Sequence, residues 1–128
     1  MTEKPYKGLA AAVLQLAVLD MRSMFKKTMR LSALSASGKL RAYVYRALDG
    51  GREQDITFTP DEVSAMRFWE NESGYRELYF DLLDIPEIPK EIKQQRDYCL
   101  ENYGMIQAKL VGLRGSWKRK TMRLNHCD

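Results

Sequence analysis

Residues 90–113, KEIKQQRDYCLENYGMIQAKLVGL, decide the fold. Ile92, Cys99, Ile106 and Leu113 recur every seven residues, and Tyr103, Leu110 and Trp117 follow the last three of these by four. A heptad repeat lays one apolar seam along an α-helix. The spacing therefore predicts a long helix over 90–113, with a seam that packs on another helix of the chain or on a second copy in a homodimer. Gly104 weakens this helix, and Gly112 with Gly115 is expected to end it. Residues 114–128 are then left as a basic C-terminal tail.

Working outward, a second long helix is expected over 7–31. Leu14, Val18, Met21, Phe25 and Met29 recur there at helical spacing, while Arg22, Lys26, Lys27 and Arg30 fall on the opposite arc. Ser32 to Ser37 is small and hydroxyl-rich, and Gly38 stops or bends what precedes it. Thr59-Pro60-Asp61-Glu62 is a helix start, with a capping hydroxyl, a proline at the first helical position and a carboxylate three residues after the cap. Shorter helices should fill 60–83, burying Val63, Met66 and Trp69 or Phe68, then Leu78, Tyr79 and Leu82. Asp84 to Pro89 forms a stiff linker, because residues before proline avoid the helical region.

Residues 39–58 read two ways. Leu40, Ala42 and Val44 alternate with Arg41, Tyr43 and Tyr45, which suits a small β-hairpin turning at Asp49-Gly50-Gly51. The same residues can form a helix as far as Leu48, with Gly50 as its stop. The expected fold class is mainly α: a single helical domain over 1–113 with the tail at 114–128.

The charges are sorted along the chain. Residues 21–46 carry seven basic side chains and no acid, residues 102–127 carry six and no acid, and residues 47–101 hold fourteen acids against six bases. A formal net charge of +4 thus hides two strongly positive segments. Such segments bear on partners rather than on fold.

The parts of an enzyme are missing from the sequence. The sole histidine, His126, lies two residues from the end, and His126-Cys127-Asp128 offers only loose chelation. Neither cysteine has a zinc-spaced partner pair, so no metal or other cofactor is expected. The two thiols, Cys99 and Cys127, read as reduced and cytoplasmic (or nuclear in a nucleated host). Asp49-Gly50-Gly51-Arg52 lacks the Lys-Ser or Lys-Thr of a phosphate loop. Asp81 and Asp84, three apart, invite a cation but have no lysine or histidine to complete a nuclease-like site. The run 8–19 is too short for a bilayer, so no membrane is expected as a partner.

Two stretches, Ala12-Val13-Leu14-Gln15-Leu16-Ala17-Val18-Leu19-Asp20-Met21-Arg22 and Met66-Arg67-Phe68-Trp69-Glu70-Asn71-Glu72-Ser73-Gly74-Tyr75-Arg76-Glu77-Leu78, resemble small helical proteins of Gram-positive prophages and integrative elements. Those proteins read Gln-Ala-Val-x-Asp-Tyr-Arg early and carry an aromatic pair before a Ser-Asp-like turn. The resemblance covers under a third of the chain, and Met21 stands where the family tends to have tyrosine. It implies a phage or mobile-element setting and no catalytic residues.

The expected function is a non-enzymatic accessory protein that binds nucleic acid through Lys26, Lys27, Arg30, Arg114, Trp117, Lys118, Arg119 and Lys120. These cations would release counterions from phosphates, and the tryptophan would stack on a base. The rival is an anti-defence factor that inhibits a host nucleic-acid-binding complex, such as a guided nuclease. There Glu70, Glu72, Glu77, Asp81 and Asp84 would mimic phosphates.

Overall fold

The structure, a computed structural model, describes residues 5–71 and 74–126. It is mainly α, with five α-helices among the described residues: α1 (Pro5–Ala36), α2 (Leu40–Asp49), α3 (Pro60–Glu70), α4 (Tyr75–Leu82) and α5 (Lys90–His126). A 3-10 turn, Glu53–Ile56, follows α2. No strand occurs among the described residues, so the hairpin suggested for 39–58 does not form. The reason is periodicity. Leu40, Val44 and Ala47 are the buried residues of α2, at the i, i+4, i+7 spacing of one helical face. The alternation of apolar and polar residues covered too few positions to outweigh that face.

Two compact units result. Met1–Lys26 and Phe58–Glu101 form the first, and Lys27–Thr57 and Asn102–Asp128 the second. The long helices α1 and α5 each contribute one part to each unit.

In the first unit, α1 buries Ala10, Leu14, Ala17, Met21 and Met24, while α3 buries Ala65, Met66 and Trp69. Phe58, Phe80 of α4, and Ile92 and Cys99 of α5 join this core. Trp69 meets Phe80 edge to face at 6.0 Å between centroids and donates its Nε1–H to the Ala17 carbonyl at 3.0 Å. The capping box at Thr59 forms as expected: the Glu62 N–H donates to Thr59 Oγ1 at 3.1 Å, and the Thr59 N–H donates to Glu62 Oε1 at 2.8 Å. Glu62 is buried, and Ser23 donates to its other oxygen at 2.6 Å. The turn of α4 differs from expectation. Phe80 is its buried residue, and Leu78 is exposed.

In the second unit, Thr28 and Leu31 of α1, Leu40, Val44 and Ala47 of α2, Ile56 of the 3-10 turn, and Ile106 and Leu110 of α5 are buried. The helix ends are built alike. Gly38 (φ 74°) follows α1, where the Lys39 N–H reaches the Leu34 carbonyl at 2.8 Å and the Gly38 N–H reaches Ser35 at 3.2 Å. Gly51 (φ 71°) follows α2 with the same pair of bonds, from Arg52 to Ala47 and from Gly51 to Leu48. Both are Schellman ends, which need a left-handed residue that glycine supplies without steric cost.

α1 runs five residues beyond the expected end at Leu31, and α5 does not stop at Leu113. Residues 114–126, expected as a tail, continue the helix. Arg114 donates to the Ile56 carbonyl and, at 2.9 Å, to Thr57 Oγ1, and Trp117 Nε1–H donates to Asp49 Oδ1 at 2.8 Å. These anchors offset the helix cost of two glycines, about 1 kcal/mol each.

One 18-residue window of α1 is apolar enough by length and composition to cross a membrane, with a mean hydropathy of 1.4, and only 28% of that window is buried.

Candidate nucleic-acid interface

The fold gathers most of the two basic segments into one unit, leaving Arg22 and Lys26 in the other. The second unit contains twelve of the 21 lysines and arginines and four of the 17 acids, a formal charge of +8, and the first unit is left at −4. Positions that are far apart in sequence thus contribute to one local field.

The centre of this basic surface is a groove of about 660 Å³ lined by Arg41, Tyr45, Ser116, Arg119, Lys120 and Arg123. It is positioned by α2 and α5. Arg41 and Tyr45 lie one helical turn apart on α2, and Ser116, Arg119, Lys120 and Arg123 share the i, i+3, i+4, i+7 face of α5. Tyr45 is half-buried, and two cations lie over its ring, Arg41 at 5.5 Å and Lys120 at 5.6 Å from the centroid. A contiguous second groove brings in Ser35 and Lys109 beside Arg41 and Arg119. Lys109 Nζ donates to Ser35 Oγ at 2.6 Å, and Arg119 donates to Ser116 Oγ at 3.3 Å. The arrangement offers exposed cations around one aromatic ring, which suits phosphate contact alongside stacking.

The expected site residues divide. Lys118, Arg119 and Lys120 are exposed, and the last two line the groove. Arg30 is exposed on the α1 part of the same unit. Lys27, Arg114 and Trp117 are half-buried and hydrogen-bonded within the unit. Lys27 donates to the Thr57 carbonyl at 2.8 Å, and Arg114 and Trp117 hold the 3-10 segment and the end of α2. Lys26 belongs to the first unit.

Arg41, Tyr45, Lys109 and Arg123 were missed as site residues. Reading 39–48 as a helix would have placed Arg41 and Tyr45 on one face at i, i+4.

Of the acidic set, Glu70, Glu77, Asp81 and Asp84 are exposed, and Glu72 lies outside the described residues. Asp84 has a backbone role. At φ 56° it is the left-handed residue after α4, its N–H bonded to Asp81 and the Ile85 N–H bonded to Phe80. Among the described residues no group of three or more His, Cys, Asp or Glu is placed to hold a metal ion. The His126 side chain, Cys127 and Asp128 fall outside the description.

Set against protein-family models, curated proteins and solved structures, the chain matches none of them.

Proposed function

We propose that the chain is a non-catalytic accessory protein that binds nucleic acid through the basic groove of its second unit. The observation that carries this reading is the collection of a +8 charge in one unit around Tyr45. Arg41, Arg119, Lys120 and Arg123 contact the phosphodiester backbone, and Tyr45 offers its ring edge or face to a base. Phosphate contacts by lysine and arginine set affinity and its salt dependence rather than sequence choice. A phage or mobile element is the setting suggested by the two resembling stretches.

The test is retention of labelled single-stranded and duplex oligonucleotides, followed by fluorescence anisotropy across a salt series. Native protein should bind with log affinity falling linearly in log salt. Reversing Arg41, Arg119 and Lys120 to glutamate should abolish binding, and replacing any one of them by alanine should reduce the slope by roughly 0.7–0.9. Absence of binding by the native chain at low salt, or binding indifferent to the triple reversal, refutes the reading. Capture of a nuclease-resistant protein complex that is lost on neutralising Glu70, Glu77 and Asp81 would instead favour the phosphate-mimic role.

A further inference from the structure

The two basic grooves of the second unit share Arg41, Ser116 and Arg119, so they form one continuous track. On its α5 side Lys109, Gly112, Ser116, Arg119 and Arg123 succeed one another by three or four residues, along one helical face. From Lys109 to Arg123 the helix rises about 21 Å. α2 supplies the opposite side with Leu40, Arg41 and Tyr45. Among the described residues no carboxylate lines the track. Lys109 and Arg119 are bonded to serine hydroxyls, and Arg41 and Lys120 lie over the Tyr45 ring. Neutral partners leave the positive charge uncompensated, and an anion completes it.

Gly112 adds a requirement of shape. It sits inside α5, where glycine weakens a helix. It is exposed, and a Cβ placed on it meets no atom within 4 Å. Neither backbone conformation nor close packing therefore calls for glycine at this position. What the missing side chain leaves is room in the track, on the face between Lys109 and Arg119.

We infer, resting on the nucleic-acid role already proposed, that the track takes an unpaired strand, with one base on Tyr45 and another in the space over Gly112. These two places lie about 12 Å apart along α5, counted from Lys120. An unpaired strand offers base faces and phosphates together, as a ring flanked by cations requires. A duplex shows its bases only as edges within its grooves, so neither the ring nor the room at Gly112 gains from it. A stacked strand advances about 3.4 Å per nucleotide, and the track therefore covers about six nucleotides.

The test uses the full chain and three labelled probes of equal length, each longer than the track: an oligothymidylate, an abasic strand with the same phosphates, and a duplex. Fluorescence anisotropy should show the oligothymidylate bound about tenfold or more tighter than the abasic strand, and tighter than the duplex. Gly112→Leu keeps every charge and favours the helix. It should bring oligothymidylate affinity down to that of the abasic strand, leave abasic binding and its salt slope unchanged, and hold or raise the thermal midpoint. Tyr45→Leu should act in the same direction. The abasic comparison needs no substitution and decides the matter on the native chain. Equal binding of oligothymidylate and abasic strand, a duplex bound as tightly or more so, or indifference to Gly112→Leu overturns the inference and leaves a surface that reads phosphates alone. Absence of binding to all three probes at low salt overturns the nucleic-acid role itself, and this inference with it.

Discussion

Trp117 makes a bond within the fold that its sequence neighbours do not suggest. Its neighbours in sequence are cationic and suggested stacking on a base, but its indole N–H is committed to Asp49 at 2.8 Å. Trp117→Phe keeps the ring and removes the donor. It should cost about 1 kcal/mol of stability in chemical denaturation and leave oligonucleotide affinity within error. A large loss of affinity with unchanged stability would return Trp117 to the binding surface.

Asp20 supplies the pH dependence at the same scale. Burial first, then the nearby Asp61 and Glu62 carboxylates, raise it above the ordinary value of 3.8. A carboxyl with a raised folded pKa binds more protons in the folded state. Its contribution to stability is therefore full below 3.8 and is lost as pH rises through the folded value. Asp20→Asn should raise the thermal midpoint at pH 7, and the gain should vanish below pH 3.8, as melts at the two pH values will read.

At the scale of elements, the strong signals were the ones with two independent supports. The start of α3 was legible because Thr59, Pro60 and Glu62 each favour it for a different reason, and the seam of α5 because Ile92, Cys99 and Ile106 keep one period. The segment 39–48 was not legible, since a short apolar run satisfies both periods and only packing chooses. The end of α5 was misread because glycine propensity is local, whereas the bonds from Arg114 and Trp117 join positions 57 to 68 residues apart. Gly112 has a helical backbone and open space where a Cβ would stand. Gly112→Ala should therefore stabilise the protein by about 0.5–1 kcal/mol in thermal unfolding. No gain would indicate that the helix ends before it.

For the whole molecule, the sorting of charge along the chain and its sorting in space are related but not identical. Most of the two acid-free blocks falls in one +8 unit because α1 and α5 send basic parts there, together with α2. The candidate site was legible as a class, cationic with one aromatic, and in Arg119 and Lys120, but not in its other members. Arg41 and Tyr45 depended on the helix that the alternation obscured.

Each unit is assembled from two separate stretches of chain, and this governs how the molecule can be taken apart. No single cut yields an intact half: cleavage near residue 57 gives two pieces, each holding one contribution to both units. Deleting the last dozen residues likewise removes the partner of Asp49 together with the charges. Truncation is therefore the wrong instrument for separating the cationic surface from the scaffold, and charge reversal at fixed length is the right one.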